Sequence, residues 1–140
     1  MFSAINGWFG LTANKKEAIR DEINIMDAIT AHVKWKVRLQ GYLNGTSGET
    51  LDPMVICRDD QCTLGKWIHG PGMKHFHEHE AFHALRSDHA EFHFIAGNVV
   101  KKVQENDRAA ADALMENEYA RTSRKVVQAL NELNTQVMAD

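Results

Sequence analysis

Three short stretches of this 140-residue chain carry side chains able to hold a soft divalent metal. His32-Val33-Lys34-Trp35, Cys62-Thr63-Leu64-Gly65-Lys66-Trp67 and His89-Ala90-Glu91-Phe92-His93 together offer one thiolate and three imidazoles. Zinc takes sulfur and nitrogen donors and closes structural sites with four of them. Four protein ligands leave no coordination position for a substrate water, so hydrolysis is not expected and the chain is not expected to be an enzyme. Cys62 would make such a site chemically responsive, because a sulfur oxidised beyond the thiolate stops being a ligand. Cys57, on the loop just before it, is the second thiol and a candidate resolving partner for an oxidised Cys62.

The chain has eight histidines, most of them between His69 and His93, so spacing alone does not choose the ligands. His79/His83 and His89/His93 are both i, i+4 pairs on one helix. Burial separates them. With Phe82 as the origin of a helical wheel, Leu85, Phe92, Ala96, Val99 and Val100 form one apolar arc; His89 and His93 fall inside it, at roughly 20° on either side of Phe82. His79 and His83 fall at roughly 60° and 100°, towards solvent. Two imidazoles in an apolar stripe must be paired or ligated, since leaving each unsatisfied costs about 1–3 kcal/mol. His69, His75 and His77 are expected in a loop at the surface.

Two other chemistries share these residue types. His79-Glu80-Ala81-Phe82-His83 matches the short H-E-x-x-H pattern of metalloproteases. Its histidines lie off the buried arc, and no strands are foreseen to frame a substrate cleft. A hemerythrin-like di-iron bundle uses histidines on facing helices, but it needs bridging carboxylates on the core stripes, and Glu78, Glu80 and Glu91 lie mostly off them.

The elements that position these residues are helices. A long helix is expected from about Asn14 to Leu43, with Thr12 or Asn14 as cap and Glu17 completing a capping box. Ile19, Ile23, Met26, Ile29, Val33 and Val37 recur at steps of three and four and predict its core face, with His32 on a flank beside Ile25 and Leu39. The Asn44-Gly45-Thr46-Ser47-Gly48 cluster opens a loop that continues to Asp60. A short helix over about Gln61–Ile68, capped by Asp59 or Asp60, puts Cys62 in its first turn, where amide dipoles favour the thiolate. Gly70-Pro71-Gly72 interrupts the chain again. A second long helix begins between Met73 and Glu80 and ends near Gln104. Asn106-Asp107 caps a third, about Arg108 to Val137, in which Tyr119, Ser123, Val126, Leu130, Leu133 and Val137 repeat near heptad spacing. The expected fold is all-α, an antiparallel four-helix bundle with a short extra helix carrying the Cys ligand. It spans 15–140, preceded by an apolar arm over 1–14 in which Phe2, Ile5, Trp8, Phe9 and Leu11 dock on the fold or its partner. Trp35 and Trp67 are expected to wall the site.

Length and composition fit one soluble domain, 44% hydrophobic and 25% charged, with a net charge of −3. Lys15-Lys16, Lys101-Lys102 and Arg124-Lys125 are scattered pairs with acids nearby, which argues against nucleic acid as a partner. No apolar run has the roughly 18 residues of a membrane span. With two cysteines and no export signal, a reducing cytoplasm is the expected compartment.

The three blocks, in this order and at these intervals, resemble the signature blocks of the chemoreceptor zinc-binding domain, CZB. Asp59-Asp60-Gln61 before Cys62, and Phe82-His83-Ala84-Leu85-Arg86-Ser87-Asp88 before His89, extend the likeness over roughly residues 20 to 137. The resemblance implies a cytoplasmic bacterial four-helix bundle, often a homodimer, that binds Zn²⁺ through His32, Cys62, His89 and His93. It also implies attachment to chemoreceptor or diguanylate cyclase signalling, in which zinc occupancy or cysteine oxidation (for instance by hypochlorous acid) alters the output. These 140 residues include no methyl-accepting or cyclase module. The expectation is therefore a stand-alone regulator or the sensory part of a larger assembly. A structural-zinc interaction domain that senses nothing is the competing functional class.

Overall fold

A computed structural model describes residues 25–139, and among them the chain is helical with no strand. The expected arm over 1–14, the caps at Thr12 and Asn14 with Glu17, and the apolar positions Ile19 and Ile23 lie outside the described residues. Helix α1 (Ile25–Leu43) ends where Gly45 turns to a φ of 72°. Helix α2 (Pro53–Ile56) follows, its cap Asp52 accepting from the Met54 amide across 2.9 Å. This stretch was expected to be loop. An Asp-Pro pair suffices for one helical turn, since the proline has no amide to orphan and its φ is already helical.

Helix α3 (Thr63–Trp67) leads through a kinked turn, Ile68–Gly72, into α4 (Met73–Phe76). Gly70 leaves helical geometry there, and His75 lies inside α4 rather than in a loop. The long central helix α5 (Glu80–Gln104) starts and stops within the bounds its periodicity predicts. Helix α6 (Arg108–Leu114) is capped by Asp107, whose Oδ1 accepts from the Ala110 amide at 3.1 Å. It passes through a π turn, Met115–Tyr119, into α7 (Ala120–Ala139). Buried Ala111, Met115 and Tyr119 recur every four residues, which drifts off one face of an α-helix. A wider turn absorbs the surplus, and the heptad-like run from Tyr119 onward then keeps its inward register.

The core forms between α5 and α7. Phe82, Leu85, Phe92, Ala96, Val99 and Val100 are buried on one side, and Val126, Leu130, Leu133 and Val137 on the other. His32 of α1 packs tilted against Phe92, ring centroids 4.1 Å apart, and further along both helices Gln104 donates to the Tyr42 hydroxyl at 3.1 Å. Thus α1 and α5 run parallel. His32 also meets Ser123, and Asn44 meets Arg108, so the α6–α7 helix runs antiparallel to both. The connection over residues 44–79 crosses back along the bundle, and its short helices pack on α5 along the way, as bundles with a long crossover do.

The expected core face of α1 is corrected. Ile29 packs against the core as expected, but Met26, Val33 and Val37 are 66%, 53% and 71% exposed, and the inward face is carried mainly by Ala28, His32, Trp35, Leu39 and Leu43. On the wheel the two faces are opposite, so α1 has an apolar stripe on its outer side as well.

Candidate metal centre

Cys62 caps α3 rather than sitting in its first turn. Its backbone is extended (φ −82°, ψ 164°), and its Sγ accepts from the Gly65 amide at 3.3 Å. A cap with a side-chain acceptor is what a helix N-terminus asks for, and the sulfur here fills the place that Asp59 or Asp60 was expected to take. Glycine at 65 lets the Asp59–Asp60 backbone lie against this cap. A Cβ there would run into the Asp59 carbonyl oxygen.

Across from Cys62, α5 presents His89 and His93, which are 2% and 4% exposed. Cys62 Sγ lies 3.4 Å from His89 Nε2 and 3.5 Å from His93 Nε2, and the two nitrogens are 3.2 Å apart. Ligand bond lengths for tetrahedral zinc require edges of roughly 3.3 Å between nitrogens and roughly 3.6 Å between sulfur and nitrogen. The three donors therefore have the separations of three corners of a zinc tetrahedron. His93 donates its Nδ1–H to the Ile56 carbonyl oxygen at 2.9 Å, which leaves the Nε2 lone pair facing the other two donors. Without a metal, protons on the Cys62 thiol and the His89 ring make these contacts hydrogen bonds; a cation between the three atoms would take a lone pair from each instead. Among the described residues, these three form the group whose donor atoms all lie within 4.8 Å of one another.

His32 is buried and borders the same space, but it stands outside that group. Its Nε2 is 3.0 Å from Ser123 Oγ on α7. Between α1 and the Val55–Leu64 segment lies a cavity of about 700 Å³ lined by His32, Trp35, Cys62, His89 and His93 among others. Trp35 thus walls the site, its ring edge-on to His93 at 6.2 Å, while Arg38 lies over its face at 4.5 Å. Trp67 does not line it. That ring packs on Phe76 and Phe82, and binds the α3–α4 segment to α5.

Burial governs the electrostatics. It lowers the His32 pKa to about 4 and that of His89 to about 3, in both cases with His93 nearby adding to the effect. Burial also lowers His93, against the opposing pull of the Ile56 carbonyl. All three are neutral, metal-competent imidazoles at neutral pH. Burial pushes the Cys62 thiol up, outweighing the Gly65 and Leu64 amides that pull it down. The expected net gain from amide dipoles is therefore corrected: in so short a helix desolvation wins, and a metal is what would make the sulfur a thiolate.

The other sequence candidates lie elsewhere. Cys57 and Cys62 are both free thiols. Cys57 closes α2, donates to the Met54 carbonyl at 3.3 Å, and packs on the α5 backbone at Gly97, where any Cβ would strike its own. His69 pairs with Asp59 at 3.1 Å, and exposed His83 reaches the His77 carbonyl at 2.6 Å. Glu78, Glu80 and Glu91 are exposed, as their wheel positions predict. Sequence reasoning passed over Ile56 and Ser123, the two groups that hold histidine rings. A carbonyl leaves no trace in a sequence, but a serine interrupting the α7 stripe was a visible signal.

No helix among the described residues is long and apolar enough to cross a membrane. Comparison with curated proteins and with solved structures returns no match. Residues 32–100, which hold all three sequence blocks, match the family model described as chemoreceptor zinc-binding domain, CZB.

Proposed function

We propose that this protein, a chemoreceptor zinc-binding domain across residues 32–100, is a sensory or regulatory domain of bacterial signal transduction. Zinc is the family's metal, and Cys62, His89 and His93 are positioned to hold a metal ion. The observation that carries the reading is the triangle of 3.2, 3.4 and 3.5 Å between their donor atoms. His32, facing the shared cavity from α1, is proposed as the fourth ligand. When bound, zinc supplies a fixed positive charge and a cross-link, which turns binding energy into structural energy for the bundle.

The chain's own residues supply the response. Ile56 keeps His93 aimed, Gly65 keeps Cys62 on its cap, and Trp35 limits access from the cavity. Cys62 is half-buried beside that cavity, so a small oxidant reaches it. With hypochlorous acid, the sulfur gains the hydroxyl and chloride leaves, and the resulting sulfenic acid is no longer the ligand the thiolate was. Either loss of zinc or oxidation of Cys62 then frees α1 from the 62–67 segment. The proposed setting is a cytoplasmic homodimer coupled to a chemoreceptor or diguanylate cyclase. The exposed Met26, Val33 and Val37 stripe supports the dimer, because a bundle helix with a second apolar face fits a helix from another copy.

Native mass spectrometry with metal analysis tests the reading: one zinc per chain is expected, with release on hypochlorite treatment. A Cys62→Ser variant that keeps the oxidant response would remove the thiol from the mechanism. Zinc that stays bound through oxidation would favour a structural-zinc interaction domain instead.

A further inference from the structure

Ser123 is out of place. Tyr119, Val126, Leu130, Leu133 and Val137 around it in the α7 stripe are all buried, and a hydroxyl at such a position gives up apolar burial. It is also on the wrong helix to belong to the three-donor group. Yet its Oγ lies 3.0 Å from His32 Nε2, so it joins α7 to α1 at the level of the centre. Phe92 lies against the same imidazole, 4.1 Å between centroids, and restrains it from the α5 side. His32 is therefore a buried ring held by one hydroxyl and one aromatic face, beside a cavity it shares with Cys62, His89 and His93.

The two nitrogens of an imidazole have linked roles. A hydrogen bond made by one N–H sets the tautomer and leaves the other nitrogen a lone pair for a metal. This chain already does so at His93, where the Ile56 carbonyl holds Nδ1 and frees Nε2. We propose that Ser123 is the positioning residue of the fourth ligand, accepting the Nε2–H of His32 so that Nδ1 serves the metal. The inference rests on the reading of His32 as a ligand. It adds that α7, which supplies no ligand itself, takes part in zinc affinity through one side chain. Zinc occupancy would then be felt by α1, α3 and α5 directly, by α2 through Ile56 and by α7 through Ser123.

The test is zinc affinity of the full chain, measured by competition with a chromogenic chelator, for wild type, Ser123→Ala, Ser123→Thr, His32→Ala and the double variant. Losing such an outer partner weakens metal binding about 10- to 100-fold. Ser123→Ala is expected to show that loss, Ser123→Thr to restore most of it, and Ser123→Ala to cost nothing further once His32 is already Ala. The Co²⁺-loaded visible spectrum of Ser123→Ala should shift towards that of His32→Ala, a change that general loosening of the fold does not produce. Metal-free helicity and melting of each variant are recorded alongside. If His32→Ala weakens zinc while Ser123→Ala leaves it unchanged or tighter, Ser123 has no positioning role and the ligand assignment survives. If His32→Ala itself leaves affinity unchanged, His32 is no ligand and both ideas fall.

Discussion

His93 gives its Nδ1–H to the Ile56 carbonyl oxygen, 2.9 Å away, and Ile56 is the last residue of α2. One hydrogen bond therefore links the aim of a metal-facing nitrogen to a four-residue helix on another part of the chain. His93→Ala removes both the donor and this tie, and leaves a buried carbonyl without its partner, at about 1–3 kcal/mol. Zinc retained after dialysis against a weak chelator should fall below stoichiometric for His93→Ala, His89→Ala and Cys62→Ala. In the wild type, stripping the metal should lower the melting temperature by several degrees, since a ligand present at about 1,000 times its Kd adds about 4 kcal/mol. Equal melting with and without zinc would show that the metal is not part of the fold's stability.

Acid should act on the metal-free protein through the same rings. His32 titrates near 4 and His89 near 3 in the folded state, both depressed by burial from an ordinary value of 6.5. A depressed pKa means that the unfolded chain binds protons first as the pH falls. The stability these neutral rings contribute is thus complete above about pH 6.5 and declines towards pH 4 and below. Urea midpoints of the metal-free protein should fall between about pH 7 and about pH 4.5, and His89→Gln should flatten the slope. A wild-type slope that is flat over that interval would contradict the burial of the rings.

Gly65 sets the position of the sulfur. Its amide reaches Cys62 Sγ, and a side chain on it would collide with the Asp59 carbonyl. Gly65→Ala must push α3 off the 59–60 turn, at a cost of about 1–3 kcal/mol for overpacking, and should weaken zinc binding at the same time. Gly41→Ala is the contrast. Its added methyl would meet Ser47 Cβ at an ordinary 3.5 Å inside α1, so it should stabilise by up to about 1 kcal/mol and leave zinc affinity alone. Thermal melts and chelator competition on both variants separate the two outcomes.

What the sequence disclosed follows from which physics leaves a pattern. The α5 stripe was legible because Phe82, Leu85, Phe92, Ala96, Val99 and Val100 are unambiguous apolar residues at helical spacing, and His89 and His93 show up as polar residues inside it. The Asp107 cap was legible because capping is local. The inner face of α1 was not. It is built from Ala28, His32, Trp35 and Leu39, small, polar or amphipathic in part, whereas the more strongly apolar run on that helix belongs to the opposite side. Helix α2 is too short to show a period. The tie between Ser123 and His32 joins residues 91 positions apart, and no local rule encodes it.

That outward run on α1 gives the last prediction. Met26, Val33 and Val37 recur at steps of seven and four on the side away from the bundle, with Thr30 between them, and Ile19 and Ile23 continue the same spacing in the sequence. Steps of four and three are those of a coiled-coil seam, and such a seam on a folded domain is covered most simply by the same helix of a second copy. A single charge at its centre should break self-association, because an ionised carboxylate cannot be desolvated there without a partner. Val33→Glu and Val37→Glu are therefore expected to shift the protein from dimer to monomer in sedimentation velocity. They should leave zinc stoichiometry at the wild-type value, since both side chains are exposed on the outer side of α1, 53% and 71%, while His32 faces inward. A monomeric wild type would remove the seam from the proposal, and loss of zinc in these variants would mean that the outer face of α1 is coupled to the metal centre itself.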